Sequence, residues 1–214
     1  MIRYGILGFG LHAGKRLAPA FAAAKDSRLT GIWRRDLNKA QTNARDYDIE
    51  NVFPSADDLC TSQEVDAVFV TSPDAFHMRD TLLALSYTKP VLCEKPLAMH
   101  AEEVEQMLAA ARKANVLFGV AQNFRYTRSV NLIRDWVQAG RIGKPIFSSA
   151  HYYSQSGQSL RAWMRDPAVA CGGVIGDIGI HCLDALHFIL QDDVAAVTTI
   201  AQRDAQPGGD GSGG

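Results

Sequence analysis

Three groups of residues in this chain have the types and spacing to do chemistry. The first is Glu94-Lys95-Pro96, which follows the apolar run Pro90-Val91-Leu92-Cys93. A short apolar run bounded by breakers predicts a buried parallel strand. Pro96 has no N–H and biases Lys95 away from helical backbone, so the strand ends there. Glu94 and Lys95 then stand at the carboxyl end of a strand, the edge where open α/β sheets bind ligands. The second group is Asp177 and His181, four residues apart at the start of a predicted helix and so on one face, which Asp184 and His187 continue in steps of three. The third is Gly8-Phe9-Gly10-Leu11-His12-Ala13, between a predicted strand and a predicted helix. A G-x-G-x-x-A loop in that setting makes a tight turn, lets backbone approach a pyrophosphate and aims helix N–H groups at phosphates.

Each group also has a blander reading. Glu94 and Lys95 can be a surface ion pair at a turn. Asp177 can cap its helix with His181 packed in a core. A metal set of His181, Asp184 and His187 is a third reading, but no recognisable ligand spacing supports it. The glycines at 172, 173, 176 and 179 favour close access to this helix start.

The elements that must position these groups alternate along the first part of the chain. Strands are predicted at Ile2 to Leu7, Arg28 to Trp33, Asn51 to Phe53, Val65 to Val70, Val91 to Cys93 and Asn115 to Val120. Helices are predicted at Lys15 to Lys25, bent at Pro19, and at Leu37 to Asp48, Asp57 to Ser62, Ala75 to Tyr87 and Ala101 to Ala114. In the last of these Val104, Met107, Leu108 and Ala111 make one apolar face. Such alternation predicts a doubly wound parallel α/β sheet. The second strand ends in Arg34-Arg35-Asp36. An acid at that point takes the ribose hydroxyls of NAD, whereas arginine suits the 2′-phosphate of NADP. The two guanidiniums favour NADP, with NAD through Asp36 as the alternative. The fourth strand ends at Thr71-Ser72-Pro73-Asp74. His77, in the first turn of the next helix, could touch the cofactor or merely cap the helix.

After Gln122 the pattern changes. A helix is predicted at Ser129 to Ala139, with Val130, Ile133 and Val137 on one side, then a turn at Gly140 to Pro145. Strands are predicted at Ile146 to Ser154 and Ala195 to Gln202, separated by a polar stretch carrying Trp163 and by the helix ending at Leu190. This predicts three segments: a Rossmann domain at 1–122, a partial α+β domain at 123–205 and a disordered glycine-rich tail at 206–214. Two strands rarely make a stable sheet. The second sheet is expected to be completed by further strands or a partner, and the open edge favours a homo-oligomer.

Composition narrows the classes. The chain has 214 residues, 47% hydrophobic, with 22 basic against 23 acidic side chains, so no strong field favours nucleic acid or an anionic membrane. No apolar run has membrane-spanning length, and the amino terminus reads as strand rather than as a signal peptide. Cys60, Cys93, Cys171 and Cys182 lack paired metal or redox spacing, and three of them, in apolar or glycine-rich surroundings, read as reduced core thiols, which fits a cytoplasmic protein.

Taken together, these motifs resemble the Gfo/Idh/MocA oxidoreductases, the group that includes glucose–fructose oxidoreductase and inositol dehydrogenase. The matching residues, in family order, are Gly8-Phe9-Gly10-Leu11-His12-Ala13, Pro73-x-x-x-His77, Glu94-Lys95-Pro96, Phe124-Arg125-Tyr126, Gly140-Arg141-Ile142-Gly143 and Gly172-Gly173 through Asp177-x-Gly179-x-His181-x-x-Asp184. The resemblance implies an NADP-dependent dehydrogenase or reductase for a sugar, polyol or related cyclic alcohol. It implies catalysis by Lys95, Asp177 and His181, with either Lys95 or His181 moving the proton. The cofactor set it implies is Gly8, Phe9, Gly10, Leu11, Ala13, Arg34, Arg35, Thr71, Ser72, Pro73, His77, Glu94 and Lys95. Arg125, Trp163 and Arg165 are candidates for the substrate wall. Members of this family continue beyond this length, so a non-catalytic nucleotide sensor or an inactive fragment of the same fold are the rival readings.

Overall fold

The computed structural model describes residues 1–152 and 162–200. Six strands form one sheet: β1 (Ile2–Leu7), β2 (Ser27–Trp33), β3 (Asn51–Val52), β4 (Ala67–Val70), β5 (Val91–Cys93) and β6 (Phe118–Val120). Their order is β3-β2-β1-β4-β5-β6, and every pairing is parallel. This order reverses between β1 and β4, so the carboxyl ends of those two strands open a crevice at the switch point. The strands are apolar because both faces are covered. Successive side chains point to opposite faces. Leu7, Val68 and Val70 pack with Leu85 and Met107 on one side, and Ile6, Ile32 and Phe69 pack with Phe9 and Ala40 on the other.

The covering helices are α1 (Ala18–Ala23), α2 (Leu37–Asp46), α3 (Ala56–Thr61), α4 (His77–Ser86) and α5 (Ala101–Ala114). Five π-helical residues, Ala13–Leu17, precede α1. The expected distortion at Pro19 is therefore placed just upstream, where the wider turn removes the demand for a proline N–H. Helix α5 carries Glu102 and Glu103 in its first turn, Arg112 and Lys113 in its last, and left-handed Asn115 at its end. That arrangement complements the helix dipole and caps the carboxyl end. Met107 and Ala111 of its predicted apolar face are buried, but Leu108 is 39% exposed, on the flank of the stripe.

Beyond β6, α6 (Arg128–Gln138) and α7 (Ile180–Leu190) pack together, and Gln138 donates to the carbonyls of Ile189 and Leu190 at 3.1 and 3.3 Å. Ile133, expected on the buried side of α6, is exposed. The two strands expected here are absent among the described residues: 146–152 and 195–200 are irregular. Alternation makes a strand only where a neighbouring strand supplies hydrogen bonds and covers the apolar face. Here Ile146 and Ile200 are almost fully exposed. The ends of both predicted strands and the 206–214 tail lie outside the described residues. No helix among the described residues is long and apolar enough to cross a membrane.

Candidate active site

The crevice at the switch point is a cleft of about 1650 Å³. Its floor is the glycine loop. Gly8 has φ +87°, and a Cβ there would meet Ser72 backbone at 2.5 Å, so no other residue fits between the ends of β1 and β4. At Gly10 the situation is opposite: an added Cβ would meet only the Gly8 carbonyl oxygen, at 3.7 Å. The room above Gly10 is left for something other than protein. Ser72 Oγ, on the same rim, is buried without a hydrogen-bond partner among the described residues. A backbone cradle and an unpaired hydroxyl fit the phosphate and ribose groups of a dinucleotide.

Toward β2 the cleft is basic, lined by Arg16, Arg34, Arg35, Lys39 and Arg79. Asp36 also lines it, but its carboxylate caps α2, accepting the Lys39 N–H at 3.0 Å and pairing with Lys39 Nζ at 3.2 Å. The Lys39 amide, then its ammonium, hold the Asp36 carboxyl below its ordinary range. The acid that could take ribose hydroxyls is thus committed to the helix. Arg34 donates to Asn43 Oδ1 at 2.8 Å, and Arg35 is exposed.

The other end gathers the predicted chemistry. Glu94 Oε1 lies 3.0 Å from Nε2 of His12, a residue whose place in the glycine loop gives no sign of this contact. His77 is buried, its ring nitrogens 2.8 Å from the Pro96 carbonyl oxygen and 2.7 Å from that of Ser72. It ties the end of β4 to the turn after β5, while also lining the cleft. The Lys95–Pro96 peptide bond is cis.

The glycine-rich segment docks on these strand ends through backbone. Asp74, pushed up chiefly by burial, accepts the Cys171 N–H at 2.9 Å, and the Ala75 N–H donates to the Val169 carbonyl at 3.0 Å. This docking carries Asp177, 82 residues away in sequence, to Lys95, whose Nζ donates to Asp177 Oδ1 and to the Asp177 carbonyl, both at 2.8 Å. His181 stacks on Phe124, centroids 4.7 Å apart at 18°. Burial first, then the Lys95 charge, lower the His181 pKa from its ordinary value, so the imidazole is neutral at pH 7.

Of the predicted wall residues, Trp163 lines the cleft. The Arg165 side chain lies outside the described residues. Arg125 does not line the cleft: its guanidinium takes Asp184 in hydrogen bonds of 2.6 to 3.1 Å. Asp184 and His187 accordingly do not continue the Asp177–His181 face. Residues Ile175–Gly179 form a π-helical turn ahead of α7, and Asp184 and His187 turn to the Arg125 side of that helix, where Arg125 and His187 line a separate small pocket. Burial pushes the Cys60 thiol up to about 12 and Cys93 up as well, as suits inert core thiols, and all four cysteines are free.

Residues 2–122 match the oxidoreductase family with an NAD-binding Rossmann fold, and residues 130–212 match the GFO/IDH/MocA C-terminal domain. The chain is 32% identical over 201 residues to 1,5-anhydro-D-fructose reductase of Ensifer adhaerens, covering 94% of this chain and 60% of that one. It is 28% identical over 189 residues to scyllo-inositol 2-dehydrogenase (NADP(+)) of Bacillus subtilis, covering 86% and 56%. Among solved structures, a probable dehydrogenase from Thermotoga maritima superposes with a TM-score of 0.76 at 25% identity, covering 90% of this chain and 56% of that one. The chain therefore spans little more than half the length of the relatives it matches. With a family match over 2–122, a sheet in Rossmann order and a glycine loop at its switch point, the chain belongs to the Gfo/Idh/MocA oxidoreductase family.

Proposed function

We propose that this protein is an NADP(H)-dependent oxidoreductase that interconverts a secondary alcohol and a carbonyl on a sugar, polyol or related cyclic alcohol. One observation carries the reading: Lys95, Asp177 and His181, from a strand end and a distant helix start, line the same cleft as the glycine loop. Core packing would not bring a lysine, a carboxylate and a histidine to the mouth of a phosphate cradle. The substrate class follows relatives such as the anhydrofructose reductase and the inositol dehydrogenase.

The glycine loop, Thr71, Ser72, Pro73, His77 and Glu94 would hold the dinucleotide, and Arg34 and Arg35 its 2′-phosphate. When bound, the nicotinamide supplies the hydride acceptor or donor. Lys95 donates hydrogen bonds and stabilises the oxygen as it gains alkoxide character. Asp177 keeps the Lys95 ammonium oriented. His181, neutral at pH 7 and close to the same cation, accepts the hydroxyl proton in oxidation and returns it in reduction. Among the two proton carriers, His181 is favoured because Lys95 is already engaged by Asp177 as an ammonium.

The test is a fluorescence titration of the 214-residue chain with NADPH and with NADH, then a screen of sugars and polyols for absorbance change at the nicotinamide band. Tighter NADPH binding, and turnover lost in Lys95→Ala, is the expected result. Preference for NADH refutes the assignment of Arg34 and Arg35. Binding of NADPH without turnover of any alcohol refutes the catalytic reading in favour of a nucleotide sensor.

A further inference from the structure

Arg79 has no part in the motifs above, yet it lines the basic end of the cleft. It projects from the first turn of α4. Its Nε donates to Asp80 Oδ1 at 2.8 Å, and its Nη2 pairs with the same oxygen at 2.7 Å. The two side chains differ sharply in exposure: Arg79 is 57% exposed and Asp80 1%. The other Asp80 oxygen, Oδ2, has no hydrogen-bond partner among the described residues. A buried carboxylate is costly unless paired. Arg79 pairs with it, so Asp80 holds the guanidinium in one place rather than leaving it to sweep through solvent.

That place is the face of Phe76. The guanidinium carbon of Arg79 lies 4.8 Å from the ring centroid, and that of Arg35 lies 5.7 Å from the same centroid. One comes from α4 and the other from the turn after β2. The strand ends on both sides of the glycine loop therefore deliver a guanidinium to one aromatic ring. Guanidinium planes stack on aromatic faces and present a fork that matches phosphate oxygens. With Asp36 committed to its helix cap, the rim offers cations and a π surface, with no free carboxylate from Asp36, where an adenosine would lie.

We propose that Arg79 is a specificity-determining residue: pinned by Asp80 over Phe76, it acts with Arg35 to hold the 2′-phosphate of a phosphorylated adenosine. This rests on the dinucleotide reading of the cleft given above, and it deepens that reading by naming a residue outside the β2 turn. Arg35 has no ion pair among the described residues, whereas Arg79 is fixed by Asp80.

The test needs no turnover. Calorimetric titration of the full chain uses two probes, 2′,5′-ADP and 5′-AMP, which differ only in the 2′-phosphate. The wild-type chain is expected to bind 2′,5′-ADP more tightly. Arg79→Gln is expected to weaken 2′,5′-ADP roughly tenfold, the effect of losing one charge-assisted contact, with 5′-AMP nearly unchanged. Arg79→Lys, which keeps charge without the planar fork, is expected to fall between. Asp80→Asn, which keeps the shape but releases the guanidinium, is expected to follow Arg79→Gln, with its thermal melt reporting the fold. If Arg79→Gln binds 2′,5′-ADP as tightly as wild type, or loses 5′-AMP to the same degree, Arg79 does not determine specificity. If the wild-type chain itself does not distinguish the two probes, the NADP assignment falls, and this proposal with it.

Discussion

Asp177→Asn is the perturbation that asks most of the active-site geometry. The Lys95 Nζ to Asp177 Oδ1 distance is 2.8 Å, and the two side chains are 14% and 27% exposed. Breaking a fully buried pair costs about 3–5 kcal/mol, whereas exposed pairs contribute about 0.2–1 kcal/mol. This pair lies between those limits. The Asp177 carbonyl, also 2.8 Å from Nζ, survives the substitution and continues to accept one hydrogen bond. The expected loss is therefore about 2 kcal/mol, which for a chain of this size lowers the melting temperature by about 4–8 °C. A thermal melt of Asp177→Asn alone does not isolate the pair, so the measurement is a cycle with Lys95→Met and the double variant. Removing both charges leaves no unpaired cation. The double variant should thus lose less than the sum of the single ones, by about 1–2 kcal/mol. Strictly additive losses would mean that Lys95 and Asp177 do not interact, and the account of how 169–177 docks on the strand ends would fail with them.

Two further predictions follow from the same rim. Gly8→Ala should destabilise the chain by roughly 1–2 kcal/mol or more, because φ is positive there and Ser72 backbone occupies the space of the new methyl. Gly10→Ala should melt like wild type yet bind NADPH weakly, and equal melting of both variants would refute the distinction between a fold glycine and a ligand glycine. Asp74 has its folded pKa raised by burial, so its protonated form favours the native state. That contribution is complete below the unfolded carboxylate range and is lost as pH rises through the raised folded value. Urea melts at pH 4 and pH 7 should therefore show Asp74→Asn, which still offers an acceptor to the Cys171 N–H, gaining on wild type as pH rises. A constant difference at both values would refute the burial argument.

Most of the sheet was legible because its signals are local. β1 and β5 end where Gly8 and the Glu94-Lys95-Pro96 turn stop the apolar runs, β2 ends at the charged Arg34-Arg35-Asp36, and α5 begins and ends at the predicted residues, with a first-turn acid pair and a last-turn basic pair. The glycine loop and Glu94-Lys95-Pro96 carry their meaning in their own spacing. The second segment was misread where the signal was not local. Ile146 to Ser154 and Ala195 to Gln202 alternate as strands do, but a strand exists only through its neighbours, and none lies beside 146–152 or 195–200 among the described residues.

The sequence by itself determined the fold class and the glycine loop at the end of β1, and it singled out Lys95, Asp177 and His181 as candidates, because residue type and short-range order are enough for each. Tertiary structure alone decided their partners. Lys95 meets Asp177 rather than staying a surface ion pair with Glu94, which turns to His12 instead. Arg125 is taken by Asp184, away from the cleft, and Arg79 is fixed by a buried Asp80 over Phe76. Charged side chains are long and rotatable, and which opposite charge each one reaches depends on where burial has already put the carboxylates. That placement is a property of the packed sheet and its docked segment, and no spacing along the chain encodes it.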